Sequence, residues 1–224
     1  MKLPKQILAM LRKELLTEWR MRSRVSGIFW FAFAVVLMVA VSIPDTSSLP
    51  KVAGGTLWIG LMLASTRSLD QSYAVENEHG ALEGLLLWPV EPLAIYYGKA
   101  IANAVILICV ATALLPLLIA IFNTEVRGNP LQLGLVVVFG CMALAAPGTL
   151  FGFITSQARG SSVLLPLLLF PLVVPALLAA ANATSKIFEG DPMNQVPSWL
   201  GLLVAYDVFH WSIMGLFFGW VLED

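Results

Sequence analysis

Hydrophobic residues fall into six long uncharged runs, at 25–44, 52–66, 100–124, 128–158, 160–185 and 192–222, the last interrupted only by Asp207. About 20 apolar residues in a helix cross a hydrocarbon core of about 30 Å. The pattern therefore predicts an all-α, polytopic membrane protein with six transmembrane helices, at approximately 26–43, 52–68, 97–122, 131–154, 162–182 and 199–221, in one domain over residues 1–224. The second run is short on its own, but Lys51 and Arg67 flank it and can snorkel their charges outward. Ahead of the first run, residues 4–24 carry Leu8, Leu11, Leu15 and Trp19 at helical spacing, with basic residues over much of the rest. That is the signature of an amphipathic helix lying on the membrane surface.

The stretch Arg67–Lys99, between the second and third runs, is polar yet patterned. Asp70 to Glu78 is acidic and helix-compatible, and Gly80 breaks it. Leu82, Leu85 and Leu86 then share one stripe of a short second helix, with Glu83 facing away. Pro89 and Pro92 end that helix, since proline has no amide hydrogen and restricts the residue before it. Such a helix suits a groove on a partner protein; it equally suits a lipid surface.

Breaks are expected inside the later spans. Pro147 and Gly148 predict a kink in the fourth, and Pro166, Pro171 and Pro175 in the fifth, each of the last three freeing the carbonyl four residues earlier. These five residues are candidate hinges, with plain kinking as the other reading. Gly60 and Ala64, one turn apart, offer a small-residue stripe for close packing in the second span. The turn TSQARGSS at 155–162 is a second candidate partner contact, and Asn182–Ser198 is expected to be the longest outer loop. Trp199 and Trp220 bracket the sixth span at opposite interfaces.

Composition agrees: 58% hydrophobic, 12% charged and a mean hydropathy of +0.84, far more apolar than a soluble domain. Lys2, Lys5, Arg12, Lys13, Arg20, Arg22 and Arg24 all precede the first span. Positive charge stays on the cytoplasmic side, so the N-terminus is expected inside, and six crossings divide Lys and Arg ten inside to three outside (Lys51, Arg127, Lys186). The expected location is a bacterial inner membrane, with the Arg67–Lys99 stretch cytoplasmic. A cleaved signal peptide fits less well, because the leader carries Glu14 and Glu18 and its apolar run is as long as a full span. Cys109 and Cys141 lie inside spans without metal-ligand spacing, and neither a metal nor a nucleic-acid partner is expected.

No G-x-x-x-x-G-K-[ST], H-E-x-x-H, G-x-S-x-G or C-x-x-C-H occurs. The chain is not expected to be an enzyme or to bind ATP by a P-loop. Asp207 and His210 stand one turn apart within the sixth span. Ionisable residues at that depth are costly and usually functional; the alternative is a pair that satisfies itself. His79 lies in the acidic loop as a solvated or partner-facing residue.

Four blocks are similar to one known family: KELLTEWRMR; GGTLWIGLMLAS; ENEHGALEGLLLWPVEP with its trailing GKAIAN; and APGTLFGFITSQARGSSVLLPLLLFPLVVPALLAAA. Over nearly its whole length the chain resembles the haem exporter protein B (CcmB) family, the membrane subunit of the cytochrome c maturation ABC transporter. The resemblance implies six spans and no bound cofactor, with ATP hydrolysed by a separate ATP-binding cassette subunit and haem as a possible substrate of the complex. It further implies a haem-handling membrane protein, a periplasmic haem chaperone and a second copy of the chain as partners. By position it assigns Glu76, Glu78, Gly80, Leu82, Glu83, Leu85 and Leu86 to ATPase coupling. Histidine at 79 departs from the acidic residue often found there, so the resemblance gives it no role. An ABC permease for another substrate and a non-transporting scaffold for haem-delivery proteins remain alternatives. An intramembrane enzyme using Asp207 and His210 lacks oxyanion donors or a second acid.

Overall fold

The computed structural model describes residues 3–20, 22–78, 91–157 and 164–223. Among them are seven α-helices and no strand: α1 (Leu3–Arg20), α2 (Arg22–Ser42), α3 (Leu49–Glu78), α4 (Pro92–Ile121), α5 (Pro130–Gln157), α6 (Leu164–Glu189) and α7 (Val196–Glu223). A 3-10 turn at Thr46–Ser48 precedes α3.

Six of the seven helices begin with proline in their first three residues: Pro4, Pro50, Pro92, Pro130, Pro166 and Pro197. Amides in the first turn have no intrahelical acceptor, and the fixed φ of proline is already helical. Pro166 lies in the first described turn of α6, and the carbonyl of residue 162 that it is expected to free lies outside the described residues. Pro171 and Pro175 do lie inside α6, and Pro147 lies inside α5. Pro116 inside α4 is a further interruption.

Five helices, α2 and α4 to α7, are long and apolar enough to cross a membrane. The second predicted span is not among them. It belongs to α3, whose 30 residues extend about 45 Å, and whose Thr56, Ser65, Thr66, Ser68 and Ser72 are buried. The reason is position: α3 packs against α2, α4, α5 and α6. A helix surrounded by protein does not need a lipid-facing apolar surface. The helices also outlast their apolar runs, α3 through the acidic stretch to Glu78 and α6 to Glu189. The expected Asn182–Ser198 loop shrinks accordingly to the six residues between α6 and α7.

Glycines set the closest approaches to α5. A side chain at Gly140 would collide with the Trp58 ring, and Cβ atoms at Gly148 and Gly152 would lie 2.6 Å from Leu69 and 2.7 Å from Tyr73. The bare backbone on this face of α5 lets three large α3 side chains lie against it, and Trp58 Nε1 donates past it to Thr184 Oγ1 of α6 at 2.9 Å.

The face of α1 is the reverse of a soluble amphipathic helix. Gln6, Met10, Glu14 and Glu18, four apart, point into the protein, while Leu8 and Trp19 are 66% and 69% exposed. In a membrane the apolar side faces lipid and the polar side faces the bundle. The Leu8–Leu11–Leu15–Trp19 stripe is therefore not the packing face.

Candidate functional site

The residues assigned to ATPase coupling divide at the end of α3. Glu76 and Glu78 belong to its last turns, whereas Gly80, Leu82, Glu83, Leu85 and Leu86 lie outside the described residues, as does His79. What the structure does describe is how the two helices flanking that segment, α3 and α4, are fastened to the bundle.

At the start of α4, Glu91 N–H donates to Gln6 Oε1 of α1 at 3.3 Å. Two turns on, Gly98 lets α1 come close: a Cβ there would sit 2.5 Å from Met10 Cβ and 3.2 Å from the Leu11 amide nitrogen. The next residue, Lys99, reaches Glu14 Oε2 at 3.6 Å, and Lys13 holds the other oxygen at 3.0 Å. Lys99 Nζ also lies 4.6 Å over the centre of the Tyr73 ring of α3, a cation–π contact. Lys99 is only 4% exposed, so it is a core residue, not the interfacial anchor its place beside Tyr96 and Tyr97 suggests. Burial pushes the Glu14 carboxyl up, but Lys99, then Lys13, and the hydrogen bonds to both hold it below its ordinary value.

The network continues to the middle of α5. Tyr73 Oη donates to the Thr149 carbonyl at 2.8 Å, Tyr96 Oη to the Ala146 carbonyl at 3.1 Å, and Trp211 Nε1 to the Met142 carbonyl at 3.3 Å. Asn103 Nδ2 donates to Thr149 Oγ1 at 3.0 Å, which in turn donates to the Ala145 carbonyl at 2.8 Å. Side chains of α3, α4 and α7 thus converge on the α5 backbone on both sides of Pro147, where the helix lacks one of its own bonds. Tyr73, Tyr96, Phe153 and Phe218 pack together below this point, with ring centres 4.8–6.3 Å apart in successive pairs. The Pro147–Gly148 stretch of the continuous helix α5 is therefore clamped from three sides. In α6, Tyr206 Oη donates to the Leu172 carbonyl at 3.2 Å, one residue beyond the carbonyl that Pro175 frees.

Asp207 and His210 are both buried, at 4% and 6% exposure, but they do not bond to each other. His210 stacks on the Tyr206 ring, centres 3.8 Å apart, and its Nδ1 lies 2.9 Å from the Tyr206 carbonyl oxygen. The self-satisfying pair is thus not formed. Among the described residues, clefts flank the bundle. One, of about 590 Å³, lies between α1, α2 and α4, lined by Leu15, Trp19, Val25, Val105 and Cys109 among others. Another, of about 310 Å³ at the opposite end, is lined by Lys51, Thr124, Arg127 and Glu189 among others. Among the described residues, no group of His, Cys, Asp or Glu is arranged to hold a metal.

The CcmB protein family model matches residues 5–219. The chain belongs to the CcmB family. Family members similar to it include the Heme exporter protein B of Rhodobacter capsulatus, 29% identical over 80% of this chain and 84% of that protein. That of Paracoccus denitrificans is 28% identical over 80% and 85%, and that of Escherichia coli K12 is 26% identical over 87% and 88%. For a CcmB chain, the α1–α4 clasp and the α5 clamp are the parts that sequence reading missed. The readable signal was Gln6, Glu14 and Glu18 at multiples of four on one face of α1; it marks a polar side needing a partner. Tyr73, Asn103 and Thr149 gave no comparable sign, because isolated polar residues in apolar runs occur for many reasons.

Proposed function

We propose that this chain is the membrane component of a bacterial haem export system serving cytochrome c biogenesis, working within a complex. Its family and the names of its relatives support the reading. It sits in the inner membrane with its N-terminus cytoplasmic. Residues 79–90 then face the cytoplasm and receive a separate ATP-binding cassette subunit, with Glu76, Glu78, Gly80, Leu82, Glu83, Leu85 and Leu86 at the contact. The chain is not itself an enzyme; ATP is hydrolysed by the partner, and the step driven is haem export or release of the haem-loaded periplasmic chaperone.

One observation carries the coupling role: Lys99 joins α1 and α3 to α4 next to this segment, and Tyr73 and Tyr96 extend the link to α5 around Pro147. A push on the segment is thereby delivered to the proline-interrupted stretch of α5.

Two experiments test the reading. In a strain lacking this gene, haem staining should show c-type cytochromes lost. Persistence of haem-loaded chaperone then points to chaperone release, and its loss to haem supply; normal cytochromes would overturn the assignment. Separately, replacing Leu82 and Leu86 with Asp should abolish recovery of the ATPase with the membrane subunit, and normal recovery would remove the docking role.

A further inference from the structure

Among the described residues, Asp207 is a buried ionisable group in the middle of the bundle with no hydrogen-bond partner. It lies eleven residues into α7, about 17 Å along the helix, is 4% exposed, and neither carboxylate oxygen has a hydrogen-bond partner among the described residues.

The titratable side chains of α7 and of the helices packed against it are engaged elsewhere or give Asp207 no hydrogen bond. On α7 itself, Tyr206 gives its hydroxyl hydrogen to Leu172 and His210 directs Nδ1 at the Tyr206 carbonyl. From α5 the only titratable side chain is Cys141, fully buried. Along α6, residues 164–183 contain none. From α4, Tyr96 and Tyr97 donate to the Ala146 and Trp211 carbonyls, Lys99 faces Glu14, and Cys109 is exposed. An ionised carboxylate withdrawn from water costs several kcal/mol unless it is paired and hydrogen-bonded. A carboxylic acid costs far less, needing only to satisfy one O–H and one carbonyl. The packed bundle therefore accommodates Asp207 in its protonated form.

We propose that Asp207 is a proton-binding site of the bundle, neutral as packed here, which gives its O–H proton to water when α7 separates from α5 and α6 and the carboxylate is hydrated. No electron moves and no other bond changes. The site lies beside the two helices carrying Pro147, Pro171 and Pro175, and separation there breaks the Trp211–Met142 and Tyr206–Leu172 hydrogen bonds. Each opening of the bundle then carries a proton release, and each closing a proton uptake.

Infrared spectroscopy of the purified full-length chain at neutral pH tests this. A carboxylic C=O band should be present in the wild type and absent in Asp207→Asn, with the carboxylate bands unchanged. Loss of a carboxylate band instead, with no carboxylic band in the wild type, would overturn the proposal. If Asp207→Asn does not accumulate, a hydrophobic carbodiimide, which reacts with protonated carboxyls, serves on the wild-type protein. An adduct on the peptide containing Asp207, its yield falling as pH rises, supports the proposal; adducts on other acidic peptides with none at Asp207 overturn it.

Discussion

Lys99 Nζ and Glu14 Oε2 stand 3.6 Å apart, with both side chains more than nine-tenths withdrawn from the surface. One belongs to the start of α4 and the other to the helix at the N-terminus, so a charge pair fastens α1 to the bundle. Removing one side of such a buried pair costs up to about 3–5 kcal/mol, moderated here because Lys13 still holds Glu14 when Lys99 is lost, whereas replacing both partners with apolar or neutral groups is far milder. Lys99→Met alone should therefore lower stability, and Glu14→Gln with Lys99→Met should recover most of the loss. Denaturation of the four members of this cycle in one detergent measures it; simple additivity would mean the two residues act independently.

The same carboxylate makes stability depend on acid. Glu14 in the folded protein is held below its ordinary value of 4.5, so as pH falls the unfolded chain takes up the proton first. Its contribution is fully present above the ordinary value and is lost as pH drops through the lower folded value. Between mildly acidic and strongly acidic buffer the wild type should lose more stability than Glu14→Gln, read as the difference between their unfolding midpoints.

Gly98 is where α1 and α4 touch, and the obstructing atoms include the α1 backbone. Gly98→Ala should force the helices apart at a cost of about 1–3 kcal/mol. Limited proteolysis should then cut within residues 3–20 faster than in the wild type, while the remaining helices stay protected.

The clamp on α5 should be a set of modest bonds. Interhelical hydrogen bonds in membrane proteins average about 0.6 kcal/mol and reach about 1.7, so Tyr73→Phe and Tyr96→Phe should each lower stability within that range. If the clamp transmits motion, the double variant still recovers the ATPase yet loses cytochrome maturation by more than its stability loss accounts for. Full maturation in a stable double variant would reduce the clamp to a packing feature.

Much of this architecture was readable from residue patterning. Apolar runs located all the long helices, because lipid demands a continuous apolar exterior and an internally satisfied backbone. What it left unread is the burial of polar residues in α3 and α1, because patterning reveals polarity but not which neighbour a face meets. Buried α3 tolerates Thr56, Ser65 and Ser68, while α1 turns Leu8 and Trp19 outward and hides Glu14 and Glu18. The candidate site was less visible. Prolines inside α5 and α6 announced weak points, but the side chains closing over them come from 34 to 76 residues away in the sequence (Tyr206–Leu172 on α6 and Tyr73–Thr149 on α5 mark the two extremes). Local spacing carries no trace of such pairs. Asp207 and His210, one turn apart, share a helix face, yet His210 turns back on Tyr206, a choice made by rotamers.

The prolines at the helix starts bear on how deep a helix can begin. An ordinary first turn presents four amide hydrogens that must find water, headgroups or a cap, which holds the start of a membrane helix near the polar boundary. At Pro4, Pro50, Pro92, Pro130, Pro166 and Pro197 one of those hydrogens is absent, so each helix can begin slightly nearer the hydrocarbon at smaller desolvation cost. For most of the described helices, a proline in the first described turn writes part of the helix start into the covalent structure before any neighbour is in place.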